Sequence, residues 1–205
     1  MRYREILLER DDHGPVLICF DIDDTLMRTS ATVMVIRPDG SSQELTASEF
    51  NHYKLKSGER FDFGQFTDAK LFRDTSKPIE NLWKTAQKSL NVIDTRPGSR
   101  VVIVTARSDM DDKDEFLKTF EDHGLDMTKV HVFRAGNVNA GSSAENKKII
   151  IRKLLKTQPF VLVKLFDDHP GNLHAFLSLK KEFTNVTFEA YQVEPSGKIH
   201  HPIIA

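Results

Sequence analysis

Three short apolar runs stand out along the chain, and each ends in a cluster of polar residues. Residues 16–20 (VLICF), 100–106 (RVVIVTA) and 160–166 (FVLVKLF) have the length and continuous hydrophobicity of strands buried on both faces of a parallel sheet. The polar segments at their ends are DIDDT, TARSD and DDHPGN. Because ligands bind at the carboxyl ends of parallel strands, we expect the three clusters to meet at one edge of the sheet.

Segments with helical periodicity lie between these runs. KPIENLWKTAQKSLN precedes the second run, and MDDKDEFLKTFEDHG follows it and ends at Gly124, a typical C-cap residue. SAENKKIIIRKLLKT precedes the third run, with Ser142 or Ser143 as its N-cap. Residues 129–134 and 186–193 predict further strands. This alternation predicts an α/β fold, a Rossmann-like parallel sheet flanked by helices.

Residues 28–77 do not fit the alternation. They contain a hairpin pattern around Pro38-Asp39-Gly40, followed by mixed sequence rich in aromatic residues. We expect an insertion after the first strand that forms either an open flap or a small closing cap over the strand ends. No repeat, low-complexity tract or linker interrupts the rest, so residues 1–205 are expected to form one domain.

Composition and charge narrow the possible classes of protein. The 29 basic and 30 acidic residues leave a net charge of −1, which argues against a protein that coats nucleic acid but allows a local basic patch. Cys19 is the only cysteine, which excludes an intrachain disulfide and predicts a buried thiol. Residues 1–15 lack a signal-peptide pattern, and no run approaches the ~18 apolar residues of a membrane span. We therefore expect a soluble, cytoplasmic protein with no membrane partner.

The first polar cluster, residues 21–25 (DIDDT), crowds three carboxylates together. Such crowding is costly unless positive charge lies between them. A turn capped by aspartates would explain the cluster, as would the metal-holding DxD of a sugar-nucleotide transferase. An EF-hand loop is disfavoured because Leu26 stands where that loop requires glycine.

Four segments together resemble the motifs of the haloacid dehalogenase superfamily, whose members are mostly phosphotransferases. The resemblance spans roughly residues 16–172 and follows the order of the family's motifs. The matching residues are Asp21-x-Asp23-x-Thr25, Thr105, Lys147 (with Lys148 as the alternative) and the pair Asp167-Asp168.

The resemblance implies a phosphatase in which Asp21 attacks phosphorus and forms an aspartyl-phosphate. Asp23 would act first as general acid and then as general base, and this second aspartate points away from the family's ATPases and dehalogenases. Mg²⁺ would be bound by Asp21, the backbone carbonyl of Asp23 and the pair Asp167-Asp168. Lys147 would balance charge on the nucleophile and the phosphate. The residues expected to bind the substrate phosphate are Thr25, Thr105, Ala106 and Arg107.

Arg107 also bears on the substrate. Two residues after Thr105, it resembles the second motif of the polynucleotide 3′-phosphatase branch, where an arginine contacts phosphate. A salt bridge with Asp109 or Asp111 is the alternative role.

Two further features bear on the size of the substrate. The basic run over residues 147–156 could follow a polynucleotide backbone, and the aromatic residues of the insertion could stack on a base. An ordinary solvated helix face and packing of the aromatic residues within the cap are the simpler explanations, and we favour them. The expected partner is a nucleotide or a nucleic-acid 3′-phosphate end. A small-metabolite phosphatase and a non-catalytic module that binds a phosphorylated ligand are the alternatives.

Overall fold

The computed structural model describes residues 14–46, 49–50, 53–138 and 140–205. Most of the N-terminal segment assessed for a signal peptide therefore lies outside the described residues. The strands are β1 Val16–Phe20, β2 Met27–Arg28, β3 Val33–Ile36, β4 Ser42–Leu45, β5 Arg60–Asp62, β6 Lys77–Pro78, β7 Arg100–Thr105, β8 Val130–Arg134, β9 Leu162–Asp167, β10 Thr187–Gln192 and β11 Ile203–Ile204. The helices are α1 Ala69–Thr75, α2 Glu80–Thr95, α3 Lys113–Asp122, α4 Ser143–Leu155 and α5 Pro170–Leu177.

The main sheet has the strand order β11-β10-β9-β1-β7-β8, and its strands are parallel except for β11 at one edge. Strand β1 lies at the centre with all five residues buried. Phe20, its last residue, pairs with Ile103 of β7 and Phe166 of β9. The three strands that carry the polar clusters therefore end side by side, and the predicted α/β fold is confirmed.

Alternating side chains of the sheet bury two apolar layers, one on each face. Ile18 and Phe20 belong to a layer with residues of α2 and α3, whereas Leu17 and Cys19 face α4 and α5. The Cys19 thiol is buried as predicted, and its burial raises the pKa of that thiol. Within the described ranges, no helix is long and apolar enough to cross a bilayer.

The segment between β1 and α2 leaves the main sheet through a two-stranded neck. Strands β2 and β6 pair antiparallel, with Met27 opposite Pro78. The predicted helix KPIEN… begins only at Glu80, because Pro78 is extended in this neck. Beyond the neck, strands β4-β3-β5 form a small antiparallel sheet. The predicted hairpin is present between β3 and β4, and its Gly40 has a φ of 82°, a conformation that favours glycine.

The insertion has a small core of its own and also packs against the main fold. Val33, Val35 and Leu45 are buried beneath the aromatic side chains of the insertion. The Phe72 ring of α1 lies 5.1 Å from that of Phe116 in α3, centroid to centroid. This helix thus anchors one end of the insertion beside the carboxyl edge of the main sheet. Whether the insertion works as a flap or as a closing cap stays a prediction.

Candidate active site

Side chains from three separate segments meet at the carboxyl edge of the main sheet. The backbone N–H of Asp21 donates to the Phe166 carbonyl (3.0 Å), which holds the segment after β1 against the end of β9. From α4, the Lys147 ammonium lies 2.8 Å from Asp21 Oδ1 and 2.9 Å from Asp167 Oδ2. The expected convergence of the first and third polar clusters is therefore present, with a buried cation between them.

The structure distinguishes the two candidate lysines. Lys147 is 2% exposed and points into the sheet edge. Lys148 lies on the helix surface, where its ammonium is 3.4 Å from a carboxylate oxygen of Glu145. Burial alone would lower the pKa of Lys147, but Asp21 and Asp167 together raise it above its ordinary value. Lys147 is therefore a fixed positive charge at the site.

Asp21 is buried, and one of its oxygens lies against the Lys147 ammonium. Burial raises the pKa of its carboxyl well above the ordinary value; Lys147 opposes this shift, and Asp167 and Asp23 add to it. Oδ1 touches the Lys147 ammonium at ion-pair distance, yet it accepts no hydrogen bond of good geometry from the described residues. Oδ1 is therefore enclosed beside the ammonium, which offsets part of the negative charge of this carboxylate.

Asp167 is held more firmly than any sequence pattern indicated. Its Oδ2 accepts from Lys147, and its Oδ1 accepts from the His169 backbone N–H (3.0 Å) and from Asn172 Nδ2 (2.8 Å). His169 also caps α5, since its Nδ1 accepts from the Gly171 N–H at 3.2 Å. Sequence reasoning did not select Asn172, although a buried amide in the first turn after an acidic pair was a usable signal.

Three carboxylates at this edge could hold a metal ion. Asp21, Asp167 and Asp168 each offer an oxygen, and these atoms lie within 4.8 Å of one another. Burial, followed by the nearby Asp167 charge, raises the pKa of Asp168 to about 7. When all three are ionised, Lys147 compensates only one charge. An all-oxygen set with excess negative charge suits a hard divalent cation such as Mg²⁺, so these residues fit the expected metal.

Asp23 does not join that group through its side chain. Arg107 grips its carboxylate with two hydrogen bonds, from Nε to Oδ2 (3.0 Å) and from Nη2 to Oδ1 (2.7 Å). Thr29 Oγ1 donates a further bond to Oδ1 at 2.8 Å. Neither Asp109 nor Asp111 is the salt-bridge partner of Arg107 among the contacts of the described chain. That alternative is wrong, because the loop after β7 directs the arginine toward the residues that follow β1.

The two aspartates proposed as alternative partners have other contacts. Asp111 Oδ1 accepts from the Ala69 N–H (2.9 Å) at the start of α1. Asp109 lies 3.3 Å from Arg134, another arginine at this edge, and its side chain is 77% exposed.

The remaining residues expected to bind phosphate surround the same edge. Thr105 is buried and its Oγ1 accepts from the Arg107 N–H (3.2 Å), while Ala106 is exposed. Thr25 Oγ1 is buried and makes no hydrogen bond with any part of the chain that the structure describes. Sequence reasoning missed Gly136, where an added Cβ would lie 2.6 Å from both Ala106 O and Ser108 N. The absence of a side chain there lets the loop after β7 pass directly over it.

The basic helix is less available than its sequence suggested. Lys147 is internal, and Arg152 and Lys156 both pair with Glu182, at 2.7 Å and 3.2 Å. The aromatic residues of the insertion pack mainly on one another, although Phe63 remains 47% exposed.

The sequence matches no family model, and no curated protein matches it. Among solved structures, the fold is similar to that of an inactive mutant of the HAD domain of the effector protein Lem4 from Legionella pneumophila. That similarity has a TM-score of 0.54 and 14% identity over 90% of this chain and 88% of that one. The chain therefore shares the α/β fold of that domain. A second structure, of the HAD domain without that description, gives a TM-score of 0.50 and 15% identity over 90% of both chains. At such low identity the likeness establishes the fold, and the activity must be argued from the site.

Proposed function

We propose that the chain is a metal-dependent phosphomonoester hydrolase that works through a phosphorylated Asp21. The observation that carries this proposal is the buried Lys147 ammonium, which lies between Asp21 and Asp167 on a HAD fold. A purely structural lysine needs one partner, whereas two carboxylates with a third nearby leave net negative charge that a metal cation would neutralise. An inactive mutant of the similar Lem4 domain also indicates that this fold carries an activity there.

The reaction has two steps. An Asp21 oxygen attacks phosphorus, the bond from phosphorus to the leaving oxygen breaks, and Asp23 gives that oxygen its proton. Water then attacks the aspartyl-phosphate while Asp23 takes a proton from it, and the bond between phosphorus and Asp21 breaks to release inorganic phosphate. Lys147 offsets charge on Asp21 and on the phosphoryl oxygens throughout. The Thr105 hydroxyl and the backbone around Ala106 are the proposed phosphate ligands.

Asp21, Asp167 and Asp168 would hold the metal ion. When bound, Mg²⁺ would supply positive charge that favours ionised Asp21 and offsets the charge of the phosphate.

The narrower proposal for the substrate is a nucleotide or a nucleic-acid 3′-phosphate end. Exposed Phe63 lies 6.5 Å from Phe66, whose ring contacts Arg107, and its position supports a ligand that carries a base. The ion pairs of Arg152 and Lys156 with Glu182 leave less basic surface for a long polynucleotide. That observation favours small phosphate esters, such as sugar phosphates, as the second candidate. The similar structures give no support to the 3′-phosphatase branch in particular.

Phosphate release by the purified protein tests the proposal. The substrates are an aryl phosphate, 5′- and 3′-mononucleotides, a 3′-phosphorylated oligonucleotide and a sugar phosphate, each with Mg²⁺ or EDTA. Asp21→Asn serves as the blank, because it keeps the shape of the side chain and loses its charge. We expect Mg²⁺-dependent release that the blank lacks. No release from any substrate would favour a non-catalytic module, and equal release by Asp21→Asn would refute the assignment of the nucleophile.

A further inference from the structure

The Arg107 guanidinium is locked at the junction between the insertion and the segment after β1. Its side chain is 1% exposed, whereas the Asp23 side chain it grips is 29% exposed. Besides the two bonds to Asp23, Nη1 donates to the Phe66 carbonyl at 3.0 Å. The guanidinium also lies 4.9 Å from the Phe66 ring centroid and 4.8 Å from that of Phe72. Because the side chain is 1% exposed, this arginine would have to move out of its present contacts to reach a phosphate.

The hydrogen bonds distinguish the two oxygens of Asp23. Oδ1 accepts two bonds, from Arg107 Nη2 and Thr29 Oγ1, and a carboxylate oxygen has room for about two. Oδ2 accepts one, from Arg107 Nε. Oδ2 therefore keeps a free acceptor position on a side chain that is partly open to solvent.

We infer that Arg107 is a positioning residue for Asp23 and that it turns Asp23 Oδ2 toward the reacting proton, a role that rests on the proposed hydrolase function. The proton leaves Oδ2 for the leaving oxygen as that oxygen parts from phosphorus. A proton from the hydrolytic water returns to Oδ2 as the aspartyl-phosphate is cleaved. Since Phe66 and Phe72 belong to the insertion, the insertion fixes Arg107, and Arg107 in turn fixes the orientation of Asp23.

A comparison of two substrates distinguishes the two possible roles of Arg107, positioning of the general acid and binding of phosphate. The leaving group of 2,4-dinitrophenyl phosphate needs no proton, whereas that of a nucleoside monophosphate does. Loss of general acid catalysis typically costs about 10²-fold or more, and kcat/KM reports the step in which the leaving group departs. We expect Arg107→Met to lower kcat/KM by about 100-fold for the nucleoside monophosphate and by less than about 10-fold for the aryl phosphate.

Two further variants keep the test decisive. Arg107→Lys keeps the charge but loses the planar fork, so the same preference for the activated substrate should appear even if the methionine variant fails to fold. Arg134→Met is the matched control: Arg134 also stacks on a phenylalanine, 4.4 Å from the Phe116 centroid, but its ion pair is with Asp109. We expect Arg134→Met to change kcat/KM by the same factor for both substrates. In an Asp23→Asn background, Arg107→Lys should have no further effect on the nucleoside monophosphate.

Suppose that the wild type hydrolyses both substrates. If the Arg107 variants then lose kcat/KM equally on both and have a raised KM, the inference is overturned and Arg107 binds phosphate instead. A wild type that hydrolyses neither these two substrates nor any other member of the panel given under the proposed function would overturn that function and this role together.

Discussion

Replacing Lys147 by methionine removes the only charge that compensates the crowded carboxylates in the described part of the site. The two side chains are similar in length, so the packing loss is small. Asp21, Asp167 and Asp168 then lie within 4.8 Å of one another with no cation between them. At an effective dielectric of about 20, each ionised pair at that distance repels by about 3.5 kcal/mol. Removing one partner from a buried ion pair typically costs about 3–5 kcal/mol, so we expect a loss of that size.

Urea unfolding in EDTA at about pH 8 measures the effect, with Lys148→Met as the matched control. Lys148 is one residue away, its side chain is 18% exposed, and its pair with Glu145 is a helix surface contact worth about 0.2–0.5 kcal/mol. We expect Lys147→Met to lower the free energy of unfolding by about 3–5 kcal/mol and Lys148→Met by no more than about 0.5 kcal/mol. Mg²⁺ should restore part of the loss in the first variant only.

The pH dependence decides whether charge is the cause. The pKa of Asp168 is raised to about 7, so at about pH 5 this carboxyl takes a proton and relieves part of the repulsion. Burial raises the pKa of Asp21 in the same direction. The cost of Lys147→Met should therefore shrink as the pH falls. A cost that is the same at both pH values, or no larger than that of Lys148→Met, would refute the role of Lys147 as the compensating charge.

Three further predictions concern the same edge of the sheet. Asp21→Asn should abolish turnover and shift Tm by no more than about 4 °C; phosphate release above that of a control without protein would contradict its role. In metal-free protein, Asp168 binds a proton in the folded state up to about pH 7 but is ionised when unfolded. Its contribution to stability is therefore present at low pH and lost as the pH rises through about 7. Urea unfolding at several pH values should show this loss, and Mg²⁺ should make the pH dependence smaller. Gly136→Ala places a Cβ 2.6 Å from the backbone of the loop after β7 and should lower kcat even at temperatures well below its Tm. An unchanged kcat would contradict the close packing.

The sequence predicted the elements whose signal is local. Continuous apolar runs placed β1, β7 and β9 within two residues of their observed bounds, and turn chemistry placed the hairpin at Gly40. Even the choice of Lys147 had a local signal, because Ile150, Ile151 and Leu154 follow it at helical spacing and are buried with it. A helical wheel of α4 would have placed Lys148 on the neighbouring, outer face.

The pair of Arg107 with Asp23 has no such signal. The two residues are 84 positions apart, and their contact depends on the path of two loops and on the placement of the insertion. The pairing of β5 with β3, which passes over β4 in the sequence, is also non-local. Periodicity describes which face of an element is buried, and it carries no information on which loop a side chain will reach.

The neck of the insertion has an evolutionary consequence. Because Met27 lies opposite Pro78 and Arg28 opposite Lys77, the chain leaves the main sheet and returns to it at adjacent points. Lengthening a segment whose ends are already held together costs little conformational entropy. The insertion can therefore grow, shrink or be exchanged without disturbing the strands that carry Asp21 and Asp167. Any exchanged insertion must still supply a backbone carbonyl and aromatic rings to hold Arg107. The rest of the insertion, and with it the shape of the space above the site, can diverge.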